Sequence, residues 1–386
     1  MIETPYFICD EKELIRNLGI VDYVKQKTGC KILFATKCFA LEPLLKKIFK
    51  NVDGVVCSAE YEAIHARALF KKKKKYIVTY SPAFSNQDFG GILQQSTHIV
   101  FNSMSQLKKY RKDIKNQGLD CGLRLNPEVS GMYCSEEYGG LADPCRKFSR
   151  LGVKKKYLEK EELKKVDGVM FHIHCENNDF RLFSSVLEKS KSKFDDILKL
   201  PNIKWVSLGG GISFTNKDYP VDRFCDSINC FQAFYNVRVI LEPGCAIVGS
   251  PFSLVSTVVD IAINEKKIAV LDTSSDAHMP DFLSYYGNAE IKGAMSKGDA
   301  GYENEKGYEY AVGGLTCLAG DVFGTYKFKK PLKIGEKVVF LKVGDYSMVK
   351  NSFFNGIKKP NIYLKSKGKN ILIRKYGYSD YLNSIS

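Results

Sequence analysis

The chain has 386 residues, 44% of them hydrophobic, 12% aromatic and 26% charged; such a composition supplies a sizeable core and excludes a disordered chain, a collagen or a small disulfide scaffold. No apolar run approaches the roughly 20 residues that cross a bilayer, and the start, Met1 to Asp10, lacks a basic-then-apolar leader, so the expectation is a cytoplasmic protein without membrane contact. The formal charge of +15 invites a nucleic-acid reading, but the densest basic run, Lys71 to Lys75, has no interleaved aromatic residues for base stacking and reads as a solvated face, so no nucleic-acid partner is expected.

Twelve cysteines lie scattered without CxxC spacing and read as reduced thiols. In chain order, Tyr6 to Cys9 is a candidate strand that could dock on a later sheet. Eight short apolar segments follow: Lys31 to Ala35, Gly54 to Cys57, Tyr76 to Thr79, His98 to Phe101, Cys121 to Leu125, Gly168 to Ile173, Trp205 to Leu208 and Arg238 to Leu241. Between them lie amphipathic stretches such as Glu42 to Lys50, Ala59 to Phe70, Ser105 to Asn116 and Phe180 to Leu200. This alternation predicts a (β/α)8 TIM-like barrel over residues 20–245, with its chemistry where the strands end. From residue 246 the rhythm changes to β-branched runs between Gly, Asn and Asp turns, including Leu254 to Ile263, Lys267 to Asp272, Lys337 to Val343 and Asn370 to Arg374. A mostly-β domain over 246–386, joined by residues 1–19, is the expectation.

Three strand ends carry candidate chemistry. Lys37 follows the first barrel strand in a mostly apolar context, where a desolvated amine becomes a nucleophile toward a carbonyl, or where a lysine simply reaches back to water. Gly209, Gly210 and Gly211 end the seventh strand, where bare backbone N–H groups can approach a phosphate. Glu242 ends the eighth strand ahead of Pro243-Gly244, placing a carboxylate where it can pair with a cationic ring nitrogen or merely begin a turn. A fork arises at Phe171-His-Ile-His-Cys-Glu176: if the segment is a strand, His172, His174 and Glu176 share one face and could hold a divalent metal, making a barrel metal hydrolase the rival class. The other three histidines have no ligand-pair spacing, so no metal is expected.

Taken together these segments resemble the fold-type III pyridoxal-phosphate decarboxylases, the alanine-racemase-like barrels. Within them, the chain is most similar to the branch acting on carboxynorspermidine and carboxyspermidine. The resemblance rests on Lys37-Cys-Phe-Ala40, Tyr80-Ser-Pro-Ala83, Phe148-Ser-Arg-Leu-Gly152, His172 with Cys175-Glu176, Gly209-Gly-Gly211, Glu242-Pro-Gly244, Ala277-His-Met-Pro-Asp281, Thr316-Cys-Leu-Ala-Gly-Asp321 and Asn355-Gly356. It implies pyridoxal 5'-phosphate as cofactor, held covalently by Lys37, with His172 stacked on its ring and Glu242 keeping the pyridine nitrogen protonated. Gly209 to Gly211 and Gly244, with Tyr346 of a partner chain, would cradle the phosphate. The resemblance further implies a homodimer with shared active sites, in which Cys317 of the partner returns a proton after carbon dioxide leaves. Asp276, His278, Asp281, Asp321 and Glu176 would form the locally acidic pocket that a polyamine-like substrate needs in so basic a protein.

One position departs from that branch, which carries glutamate where this chain has Cys245. Losing a carboxylate there removes a charge-assisted hydrogen bond to the amine, worth about 1.5–3 kcal/mol when desolvated. The same chemistry on a different carboxylated amine or amino acid is therefore the alternative within the fold.

Overall fold

Short apolar runs bounded by turns become parallel strands when helices cover their outer face and layers of side chains fill the inner one. The computed structural model describes residues 2–71, 75–132, 142–281 and 289–386. Contacts divide the chain into two compact units, Asn17–Ile247 and the residues up to Arg16 together with Val248–Ser386.

In the first unit, strands Lys31–Ala35, Gly54–Cys57, Tyr76–Tyr80, His98–Phe101, Asp120–Asn126, Gly168–Met170, Trp205–Gly209 and Arg238–Leu241 pair in that order, all parallel. The last closes on the first, with Ile240 opposite Lys31 and Leu241 opposite Ile32. The result is the closed eight-stranded barrel expected from the alternation.

The connecting helices start where side chains satisfy exposed N–H groups. Ser85 accepts from the Asp88 N–H at 3.0 Å ahead of Asn86–Gln95, and Ser103 accepts from the Gln106 N–H at 3.3 Å ahead of Met104–Asn116. Asp179 accepts from the Arg181 N–H at 2.8 Å ahead of Phe180–Leu198. Each such cap is worth about 1 kcal/mol.

The barrel interior is packed, not hollow. Leu33, Val56, Val78, Val100, Met170, Trp205 and Ile240 form one buried cluster, with Tyr76 and Tyr80 packed against it. The Trp205 ring lies so close over Gly168 that a Cβ there would meet the indole at 2.1 Å. Only glycine fits, and the arrangement buries on the order of 200 Å² of aromatic surface.

The second unit is built on a mixed sheet whose central strands include Tyr6–Asp10, antiparallel to Phe252–Asn264 and parallel to Asn361–Ser366. Lys266–Leu271, Tyr308–Gly313, Val322–Phe328, Lys337–Leu341 and Lys369–Arg374 extend it. Tyr6–Asp10 thus pairs with strands from the later part of the chain.

Two local expectations need correction. Residues after Tyr6–Asp10 form an 18-residue helix, Glu11–Thr28, that the strand-centred reading did not anticipate. The sixth barrel strand ends at Met170, short of Ile173, because the chain turns away there to carry His172 toward Gly209 and Gly210.

Candidate active site

Lys37 owes its position to a break in regularity. After Lys31–Ala35 the backbone takes a single 3-10 turn, Thr36–Cys38, that buries Thr36 and Cys38 and leaves Lys37 exposed at the barrel mouth. The Thr36 hydroxyl, lying 3.0 Å from the Val56 carbonyl and 2.7 Å from the Glu62 carboxylate, pins the turn, and the Ser58 N–H donates to the same carboxylate at 2.7 Å. The sequence left open a desolvated amine or one that reaches back to water; the structure gives a solvent-reachable amine, because the turn lifts it out of the apolar strand.

Glu242 is 3% exposed at the end of its strand. The Ser207 hydroxyl donates to Oε1 at 2.5 Å, and Oε2 lies 3.7 Å from His172 Nδ1. A buried carboxylate is expensive without partners, and here one oxygen is fixed by Ser207 while the other lies toward His172. His172, with 20% of its side chain exposed, accepts the Gly210 N–H on Nδ1 at 3.3 Å. Burial, with the nearby Lys37 ammonium adding to it and Glu242 opposing it, holds His172 down to about 4, so its ring is neutral at pH 7.

The glycines after Trp205–Gly209 are required by space. Gly209 and Gly211 have φ of +73° and +78°, and a Cβ on them would lie 2.7 Å from His172 Cα and 2.2 Å from the His174 carbonyl oxygen. A Cβ on Gly210 would meet the Glu242 carbonyl at 2.2 Å, and one on Gly244 would meet Cys38 Sγ at 2.5 Å. Bare backbone therefore lines this stretch of the mouth. Cys245 follows, half-buried, at the start of the short helix Cys245–Val248.

The sequence reading missed a network beneath these groups. Arg124, 4% exposed, donates to the Tyr80 hydroxyl at 2.8 Å and to the His172 carbonyl at 2.6 Å. The Tyr80 hydroxyl donates in turn to Asn102 Oδ1 at 2.8 Å, which also accepts the Gly152 N–H at 2.7 Å. The signal was present as a lone charge inside the otherwise apolar Cys121 to Leu125.

The shared face expected of His172, His174 and Glu176 does not form. His174 packs on Phe183 with ring centroids 5.5 Å apart and faces Asn177 Nδ2 through Nδ1 at 3.2 Å, while Glu176 is exposed with φ +48°. With that left-handed residue ending the segment, strand alternation is lost, and these three residues do not bring their ligand atoms together.

The remaining candidates belong to the second unit, where three loops are tied together. Asp321, 4% exposed, accepts from the Ser275 N–H and hydroxyl at 2.7 Å each and from the Thr316 hydroxyl at 2.7 Å. Burial pushes its carboxyl up, but these hydrogen bonds outweigh burial and hold it below the usual carboxylate range. His278 is fully buried, with Nδ1 2.8 Å from the Thr273 hydroxyl, and burial lowers it to about 4. Asp276 is half-buried, and Asp281 is buried in an ion pair with the Lys350 ammonium, which also lies 5.1 Å from the Tyr346 ring centroid. Cys317 is exposed, its backbone N–H donating to Asn355 Oδ1 at 2.8 Å.

Three histidines held near 4 make acid stability a readout of this packing. His172, His174 and His278 are all lowered chiefly by burial, so between their ordinary 6.5 and about 4 the unfolded chain binds protons that the folded chain refuses. Stability contributed by these rings is complete above pH 6.5, falls as pH drops toward 4 and levels off below, by up to about 3 kcal/mol for each ring. A thermal midpoint that declines from pH 7 to 5 is expected, with a shallower slope for His278→Gln; a flat profile contradicts the burial argument.

The family model for the pyridoxal-dependent decarboxylase pyridoxal-binding domain matches residues 20–249. Over its full length the chain is 38% identical to all of a carboxynorspermidine/carboxyspermidine decarboxylase from Herminiimonas arsenicoxydans. It is 40% identical to one from Campylobacter jejuni, over 98% of each chain. A crystal structure of carboxynorspermidine decarboxylase from Campylobacter jejuni, complexed with norspermidine, superposes with a TM-score of 0.86 at 39% identity, covering 99% of this chain and 100% of that one. Diaminopimelate decarboxylase from Helicobacter pylori, at 19% identity and a TM-score of 0.79, shares the fold.

Proposed function

The chain belongs to the pyridoxal-dependent decarboxylases, and from that premise we propose that it removes the α-carboxylate of carboxynorspermidine or carboxyspermidine in polyamine biosynthesis, using a site assembled at the barrel mouth. The observation that carries this reading is the buried Glu242, fixed by Ser207 on one oxygen and open toward His172 on the other, at the same mouth as Lys37 and the bare Gly209 to Gly211 backbone.

These residues suit pyridoxal phosphate. The stretch that a Cβ would fill at Gly209 to Gly211 leaves backbone for a phosphate, Glu242 offers a desolvated anion for a protonated pyridine nitrogen, and Lys37 offers a reachable amine for the aldehyde carbon. When bound, the protonated ring supplies the sink for the electron pair left as carbon dioxide departs. Ser207 keeps Glu242 in one rotamer, so the proton on the ring nitrogen is held electrostatically. His172, neutral and anchored through Nδ1, presents a flat uncharged face, and Arg124 holds the backbone of that residue in place. An uncharged ring there avoids competing with the protonated pyridine. Cys317 acts as the acid that delivers a proton to Cα, and Asp281 exchanges its Lys350 partner for a distal ammonium of the substrate.

Cys317 serves the barrel of a partner chain in this reading. Leu315, Leu318, Val322 and Phe354 are 40–46% exposed beside it, an apolar rim of the kind that a second copy covers. In this reading the protein is a homodimer with shared sites, working in the cytoplasm without nucleic acid.

Purified enzyme given carboxynorspermidine, carboxyspermidine and other carboxylated amines should release carbon dioxide and form norspermidine or spermidine. Consumption of a different amine with neither polyamine formed overturns the substrate assignment and leaves the chemistry. Cys245→Glu should lower KM for the polyamine by roughly tenfold or more, matching a regained charge-assisted hydrogen bond; an unchanged KM removes Cys245 from the substrate site.

A further inference from the structure

The resemblance counts Asp321 among the acidic groups that would meet a polyamine, yet its acceptor positions are already occupied. A carboxylate offers about four of them, and four donors of the same chain fill them. Oδ1 accepts the Ser275 N–H and the Ser275 hydroxyl at 2.7 Å each, and Oδ2 accepts the Thr316 hydroxyl at 2.7 Å and the Thr316 N–H at 3.1 Å. With 4% of the residue exposed, the carboxylate presents neither a vacant lone pair nor an open face to a substrate ammonium.

What the carboxylate holds is the turn that carries Cys317. Residues 317–320 are exposed, so apolar packing does not fix them, and Asp321 is the buried end of the segment. The Asp321 N–H donates to the Leu318 carbonyl at 2.9 Å and its carbonyl accepts the Gly314 N–H at 2.8 Å, closing the turn on both sides. A Cβ on Gly314 would lie 2.3 Å from Oδ2, so bare backbone just past the strand Tyr308–Gly313 admits the carboxylate. Thr316, gripped through both its N–H and its hydroxyl, is the residue before Cys317, whose own N–H is taken by Asn355 Oδ1 at 2.8 Å. Ser275 supplies the other half of the clasp from the short helix Ser275–His278, which is itself tied down. The Ser274 hydroxyl accepts the Ala277 N–H at 3.0 Å, and His278 Nδ1 lies 2.8 Å from the Thr273 hydroxyl.

Such a clasp matters for an acid. Proton delivery needs the donor within about 2.6–3.2 Å of the atom it protonates, and a misplacement of about 1 Å can cost on the order of 10²-fold. A cysteine side chain turns about a single torsion with three staggered positions, so the backbone of residue 317 decides where Sγ can lie. We propose that Asp321 is a positioning residue for proton delivery: by clasping Ser275 and Thr316 it fixes the backbone that presents the Cys317 thiol, and it takes no part in binding the substrate. This role rests on the reading of Cys317 as the acid of the reaction.

Holoenzyme is assayed on whichever carboxylated amine the wild type turns over, following formation of the amine product. Asp321→Asn sets an –NH2 group against N–H donors whichever way the amide turns, opening one side of the clasp. Its kcat should fall at least about tenfold, while KM stays within about threefold, the split that separates a lost step from lost binding. Ser275→Ala removes one neutral hydroxyl and no charge, keeps the test open if the first variant misfolds, and should lower kcat by a smaller factor. Added to Cys317→Ala, Asp321→Asn should lower kcat by less than about twofold, because a group that acts through another has nothing left to act on. A raised KM at unchanged kcat, a kcat unchanged in both variants, or a second full loss in the Cys317→Ala background overturns the positioning role and leaves Cys317 as the acid. Wild-type turnover by Cys317→Ala instead removes the acid itself from the reading, and the role of Asp321 falls with it.

Discussion

Lys37→Ala should abolish decarboxylation, with kcat/KM falling by at least about 10³-fold, or roughly 4 kcal/mol of transition-state stabilisation. The amine is reachable at the barrel mouth, and its turn is pinned by Thr36, Glu62 and Ser58 rather than by Lys37 itself. Truncation therefore leaves the fold intact and removes only the attachment point. The same variant tests the shared site. Cys317→Ala should also be nearly inactive, since general-acid groups contribute on the order of 10²–10⁴-fold. Mixing the two dead proteins under conditions that exchange subunits should restore about a quarter of wild-type activity, because half of the dimers then pair one intact Lys37 mouth with one intact Cys317. No recovery after demonstrated exchange places Cys317 outside the partner's site.

Glu242→Gln should lower kcat/KM by about 10²–10³-fold, the range found when one preorganised electrostatic partner is removed from a dry site. Glutamine has nearly the same shape and can still accept from Ser207, so the Ser207 contact at 2.5 Å survives while the negative charge is lost. Cofactor binding should change much less than turnover, because attachment depends on Lys37. Steady-state rates at saturating cofactor separate the two effects. A turnover within a few-fold of wild type means that the carboxylate does not hold the ring proton and that its burial is structural.

Much of this architecture is legible in the sequence because it follows from local pattern. Barrel strands read as short apolar runs, and Lys37, Gly209 to Gly211 and Glu242 stand out because polar or bare residues interrupt those runs at their ends. What escapes is what depends on distant partners. Arg124 meets Tyr80 and His172 from 44 and 48 positions away, and Lys350 meets Asp281 from 69 away. Periodicity carries no information about such pairings. Alternation also misled at His172, His174 and Glu176, because a chain leaving a strand through a left-handed residue no longer has period two. The Glu11–Thr28 helix was hidden for a related reason: the strand before it drew the whole opening segment toward the sheet.

The central claim is that Lys37 holds pyridoxal phosphate at the mouth built by Glu242 and the three glycines. Borohydride reduction of cofactor-loaded enzyme, which converts a carbon–nitrogen double bond into a stable amine, followed by peptide mass spectrometry, tests it most directly. A pyridoxyl-phosphate adduct confined to the peptide containing Lys37, and absent from Lys37→Ala, is the expected result. An unmodified Lys37, or an adduct on another lysine that persists in the variant, contradicts the account.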